Sequence, residues 1–220
     1  MQKRSQNETN YEFKANYTQS FGSIDFGGLV GGNYMETSYN SNIATTSGGL
    51  SLPGFYNLDA STDRPSINTY KSNRAISSTF GQATVGFRDF YFVDLSLRND
   101  VSSTLPAENN SYTYYSLSNS FVFTELLNLP VLSFGKIRAS IAQVGNDTDP
   151  YNVGLTYSVG TPYGSSPTLN VPNTLPNTSL KPSINSDTEF GFDLRFFNNR
   201  LRLDATQYTS VKEDDIISLT

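Results

Sequence analysis

The sequence predicts an all-β chain, laid out as an antiparallel up-and-down sheet of about eight strands. Three observations carry that prediction. Apolar and polar residues alternate with a period of two in one segment after another. The connections between those segments alternate between short and long. The chain of 220 residues is 36% hydrophobic and 13% aromatic, with 14 Tyr, 15 Phe and no Trp; Asn, Ser, Thr and Gly fill much of the rest, a composition suited to strands joined by polar loops.

The elements follow in order. In the first strand Tyr11, Phe13, Ala15 and Tyr17 alternate with Glu12, Lys14, Asn16 and Thr18. After a reversal at Phe21 to Asp25, a second strand runs to about Met35, with Phe26, Val30 and Tyr34 on one face and glycines between them. From Glu36 to about Asn68 no period is sustained and Gly49, Pro53, Gly54 and Pro65 interrupt, so an irregular stretch is expected. A third strand, about Arg74 to Gly86, turns at Phe87-Arg88-Asp89 into a fourth, where Tyr91, Val93, Leu95 and Leu97 oppose Phe92, Asp94, Ser96 and Arg98.

A loop from Asn99 to Ser111 leads to a fifth strand, Tyr112 to Glu125, which Leu127-Asn128-Leu129-Pro130 ends. In the sixth, Phe134 to Val144, Ile137, Ala139 and Ile141 stand against Lys136, Arg138 and Ser140. Asn146 to about Ser186 holds six prolines and reads as a second long irregular stretch. A hairpin closes the pattern: Phe190, Phe192, Leu194 and Phe196 alternate with Glu189, Gly191, Asp193 and Arg195, Asn198-Asn199 turns, and Leu201, Leu203 and Ala205 alternate with Arg202, Asp204 and Thr206.

With connections running short, long, short, long, short, long, short, an up-and-down sheet carries its turns at one end and its loops at the other. Strands with two unlike faces, short turns on one side and long loops on the other are the signature of a transmembrane β-barrel. Phe87, Phe90, Tyr91, Phe196 and Phe197, beside the turns, suit an interfacial aromatic girdle. Charges on one face of a central strand are costly in a dry core and tolerable on a wet one. The aliphatic set Val93, Leu95, Leu97, Ile137, Ile141, Phe192 and Leu194 is therefore expected toward lipid, and Asp94, Arg98, Lys136, Arg138, Asp193 and Arg195 toward the lumen.

Other classes are excluded by what the chain lacks. It has no His and no Cys, which removes a Ser-His-Asp triad, thiolate chemistry and Cys-ligated zinc. A net charge of −5 offers no basic stripe for a phosphate backbone, so nucleic acid is not an expected partner. No run of about 18 apolar residues forms a membrane helix, and the first residues have no apolar signal-peptide core. No cofactor, metal or catalytic residue is expected, and the chain is not read as an enzyme.

Three blocks resemble, in order, barrel segments of SusC/RagA-type TonB-linked outer-membrane receptors. They are the Arg-Asp-Ser-Ser run Arg98, Asp100, Ser102 and Ser103; the strand Lys136, Arg138, Ser140 ending in Gly145-Asn146-Asp147; and Leu180 to Pro182 leading to the turn Phe196 to Leu201. They span roughly residues 74 to 211. The resemblance implies a large barrel of about 22 strands with a plugged lumen, of which residues 1–220 form one partial segment without plug domain or signal peptide. It also implies a place in the cell outer membrane and nutrient import of a glycan or peptide. The implied partners are outer-membrane lipid, a TonB complex reached through the missing plug region, and a surface lipoprotein.

For cargo, the candidates are Tyr56, Tyr70, Tyr157 and Tyr163, amphipathic rings in Gly, Asn and Ser surroundings that stack on sugars or bury a peptide side chain. Asn146 and Asp147 join them; Asn146 to Asp149 resembles the start of a calcium loop but lacks its glycine and distal Glu. Two other architectures stay open on residues alone: a soluble or surface-attached β-sandwich binding carbohydrate through loop tyrosines, and a complete eight-stranded barrel.

Overall fold

The computed structural model describes residues 1–127, 129–160, 162–173 and 175–216. Eight strands form one antiparallel sheet, each paired with its predecessor along the chain: β1 (Gln2–Phe21), β2 (Ile24–Leu50), β3 (Ser61–Phe87), β4 (Tyr91–Ser102), β5 (Ser111–Val122), β6 (Leu132–Asn146), β9 (Ser183–Phe196) and β10 (Leu201–Glu213). Between β6 and β9 lies a two-stranded ribbon of β7 (Ser158–Val159) and β8 (Leu169–Asn170). Among the described residues there is no α-helix, only 3-10 turns at Leu58–Ala60 and Phe123–Glu125.

The register fixes which residues share a face. Leu95 pairs with Ala83 and Leu117, Leu117 with Ile141, and Ile137 with both Phe121 and Phe192. Those side chains form an exposed apolar face, with Val30, Val85, Leu97, Phe190 and Leu203 also on it. Among the described residues nothing covers it: the other sheet is the ribbon of two two-residue strands, and the buried apolar residues are Ala60, Ile76, Leu105, Tyr112 and Val122. A sandwich buries apolar faces between two sheets, so that architecture is overturned. A closed eight-stranded barrel is overturned too, because β1 and β10 end the sheet order without pairing each other.

The strand lengths correct the sequence reading. The first strand covers Gln2–Phe21 instead of Tyr11 to Thr18, and the stretch from Glu36 to Asn68 is largely ladder, since β2 runs on to Leu50 and β3 begins at Ser61. A barrel strand needs about 9–11 residues to cross a membrane, whereas β2 and β3 have 27 each, about 90 Å at the usual rise. Period two is visible only where the two faces meet unlike phases. Beyond Met35 both faces carry Ser, Thr, Asn and Gly, so the alternation vanishes while the backbone pairing continues from Met35↔Ile76 to Leu50↔Ser61.

Smaller corrections follow. The fifth strand ends at Val122 rather than Glu125, and the last extends to Glu213. The break expected at Leu127 to Pro130 includes Asn128, which lies outside the described residues. Residues 123–131, on the short-turn side, are about as extended a connection as 103–110 on the loop side, so length alone does not separate the ends. The separation lies in the whole excursion: the β2–β3 projection and the 147–182 loop stand at one end, and three turns of two to four residues stand with the 123–131 connection at the other. Arg88 and Asp89, and then Phe197, Asn198 and Asn199, take positive φ in those turns, a conformation Asn and Asp tolerate best.

Candidate functional site: the polar face and its rim

All six charged residues expected together do share one face. Lys136 pairs with Asp193, and Asp94 leads through Ser118 to Ser140, two residues along β6 from Arg138; Arg98 and Arg195 share that face by the two-residue period of their strands. They form separate clusters on it. Near the turn end, Arg195 and Arg202 both donate to Asp193, at 3.2 and 3.0 Å, and Arg202 also reaches Asp204 at 3.2 Å. The Arg195 guanidinium lies over the Phe134 ring, 4.5 Å from its centre.

Arg138 joins this cluster across an intervening strand. From β6 it passes over β9 and donates to Asp204 at 2.9 Å and Thr206 at 2.5 Å on β10. Gly191 is the gap through which it passes: a Cβ there would lie 2.9 Å from Arg138 Nε and 3.0 Å from Thr206 Oγ1. Gly31 on β2 likewise leaves room for the ring of Phe80 on β3. Arg202 was not singled out as a site residue in sequence; its signal is its place opposite Arg195 in the hairpin.

The second cluster lies at the loop end. Arg98 donates to Asp100 at 2.8 Å and to Ser78 at 2.8 Å, and its guanidinium covers the Phe80 ring. Tyr114 donates to the other Asp100 oxygen at 2.8 Å. Asp94, further down, accepts from Thr84 at 2.7 Å. Asp147 belongs here as well: it accepts from Arg74 Nε at 3.0 Å and Thr104 Oγ1 at 2.9 Å, and also from Arg74 Nη2 and Ser102 Oγ. With its carboxylate so committed, Asp147 is not arranged as the first ligand of a calcium loop. Asn146 ends β6 opposite Ser183.

Two of the sequence blocks, Arg98 to Ser103 and Gly145 to Asp147, therefore meet in space. Arg74 was missed as a site residue because its partner is 73 residues away. Tyr112 is buried beside this cluster and fills the space left by Gly145.

The four candidate tyrosines are not gathered into one site. Tyr70 is on β3, not in a loop, and packs against Tyr39 with ring centres 6.0 Å apart. Tyr56 is 91% exposed and lines a cavity of about 650 Å³ with Leu50, Asn57 and Leu58. Tyr157 and Tyr163 are exposed on the 147–182 loop. At the turn end, Phe87, Phe90, Tyr91 and Phe121 form a chain of edge-on ring contacts, 5.3 Å between the first two centres. They sit where the apolar face stops.

A curated protein named TonB-dependent receptor P3, from Formosa agariphila, is 25% identical over 209 residues, covering 91% of this chain and 21% of its own length. The solved RagAB peptide transporter superposes with a TM-score of 0.82 at 23% identity, over 98% of this chain and 25% of its own. The siderophore receptor PirA from Acinetobacter baumannii gives a TM-score of 0.61 at 20% identity, over 96% and 28%. No family model matches the chain. The chain thus spans about a fifth of the curated relative and about a quarter of the solved structures, all named as receptors or transporters.

Proposed function

We propose a transport role on the premise that this chain is a section of the barrel wall of a TonB-dependent receptor, of the SusC/RagA type. In that reading it is part of an outer-membrane importer for a bulky nutrient, a peptide or a glycan, energised through a TonB complex that engages a plug region outside this chain. The observation that carries the reading is the single-layer sheet, apolar on one face and ion-paired on the other, in a chain of which 98% superposes on a quarter of the RagAB peptide transporter chain.

The two faces then have separate work. Val93, Leu95, Leu97, Ile137, Ile141, Phe192 and Leu194 meet lipid, with the Phe87 to Phe121 aromatics at the inner interface. Asp94, Arg98, Lys136, Arg138, Asp193 and Arg195 line the lumen. Tyr157, Tyr163 and Tyr56, exposed on the loop side, offer ring faces to sugars or peptide side chains, with Asn146 and Asp147 at the base of the longest loop. A surface lipoprotein that caps the mouth is the partner the β2–β3 projection would meet first. The role is one of binding and passage.

The test is uptake of fluorescent peptide and glycan pools by cells carrying the full-length receptor, with and without a protonophore. Energy-dependent accumulation of either pool that is lost on deletion of the receptor supports the proposal. Uptake unaffected by deletion and protonophore contradicts it.

A further inference from the structure

The 147–182 loop leaves the sheet at the end of β6, and its first residues do not rise away from the wall. Asp147 reaches Arg74 on β3 and Ser102 and Thr104 at the end of β4. Four residues later the Tyr151 hydroxyl accepts from the Asn73 backbone N–H at 3.4 Å. From β6 to β3 is three strand spacings, about 14 Å, so residues 147–151, together with the Arg74 side chain that reaches them, bridge the ends of β5 and β4 on the polar face. Underneath, Ser102, Thr104, Leu105 and Tyr112 are all buried. The returning end is held too: Asn109 donates to the Ser179 and Leu180 carbonyls at 3.2 and 3.3 Å.

Asp147 is the strongest of these ties. Its carboxylate is 6% exposed and accepts from two nitrogens of one guanidinium, Nε and Nη2, plus two hydroxyls, a fork that fits arginine and not lysine. The other contacts are single neutral hydrogen bonds, roughly half as strong.

We infer that Asp147 is the positioning residue of this loop: its clamp on Arg74 lays the strap across the rim and holds Tyr157 and Tyr163 over the polar face. The consequence for cargo rests on the transport reading above; the posture does not.

The experiment uses the full-length receptor, any cysteine elsewhere replaced by serine, since this chain contributes none. Spin labels on Ser165→Cys, at the loop tip, and Ser111→Cys, on the wall, report their separation by pulsed dipolar spectroscopy. The parent and the control Asp149→Asn, an exposed carboxylate two residues along, should give one and the same narrow distribution. Asp147→Asn should add a broad population at other distances, Arg74→Lys the same, and Arg74→Lys should change nothing further once Asp147→Asn is present. Should Asp147→Asn not fold, Thr104→Val removes one donor at constant shape and should broaden the distribution to a lesser degree. Distances in Asp147→Asn and Arg74→Lys that match the parent, or in Thr104→Val if the first does not fold, overturn the inference. The readout needs no transport, so absent uptake with a released loop sinks the transport reading alone, and normal uptake with unchanged distances sinks the clamp alone.

Discussion

Placing an arginine at Leu95 and at Ser96 separates the two faces of one strand by a single residue. Leu95 stands on the apolar face between Ala83 and Leu117 and is 49% exposed. Tyr91, in the aromatic chain, lies four residues to one side and Asn99, where the face turns polar, four to the other. At the usual rise and tilt that is about 10 Å to each boundary, which puts Leu95 near the middle of the band. A cation on the lipid side at that depth costs about 2–4 kcal/mol. Ser96→Arg gives up the 2.6 Å bond between the Ser96 and Ser116 hydroxyls, about 0.5–1.5 kcal/mol, and the new guanidinium has the Asp94 carboxylate two residues away on its own face. Leu95→Arg should therefore be the worse change by about 1–3 kcal/mol. The assay is reversible denaturant unfolding of the full-length receptor in lipid vesicles. Equal midpoint shifts, or a larger shift for Ser96→Arg, would refute the face assignment.

Substitutions at five further positions test the ion-paired face and the turns. Gly191→Leu should lower stability by roughly 1–3 kcal/mol through overpacking; its cost and that of Arg138→Met should combine to less than their sum, because both break the same crossing to Asp204. Asp193→Ala should cost about 1–3 kcal/mol, less than a fully buried pair because Arg195 and Arg202 remain partly wet, and Asp204→Ala should shift the unfolding midpoint less. At φ 65°, Asn199→Val should cost about 1–2 kcal/mol and Asn199→Gly little; the rate and yield of refolding into vesicles check both.

How much of this was legible in sequence depended on whether two phases bordered a strand. Val93, Leu95 and Leu97 against Asp94, Ser96 and Arg98 announced β4, and the register shows which residues of β3 and β5 stand beside each of them. The far halves of β2 and β3 were invisible because Thr37, Ser38, Asn40 and Ser41 carry no contrast between faces; only the backbone ladder orders them. The charge clusters were half legible. Asp193 and Arg195 lie in one strand, and alternation found them. The Arg138 to Asp204 and Arg74 to Asp147 pairs join positions 66 and 73 residues apart, a distance no local pattern crosses. The four candidate tyrosines were singled out by their Gly, Asn and Ser surroundings, which say nothing of mutual position, and the fold leaves them dispersed, Tyr70 on β3 and the others outside the main ladder.

The central claim is that one face of this sheet meets lipid and the other water. Single spin labels at residues 93 to 98 of the full-length receptor in lipid vesicles test it most directly, through their relaxation by oxygen, which concentrates in the bilayer, and by a water-soluble nickel complex. The account predicts a period of two, with strong oxygen relaxation at positions 93, 95 and 97 and weak at 94, 96 and 98. Uniform accessibility along the strand, or the opposite phase, would contradict it.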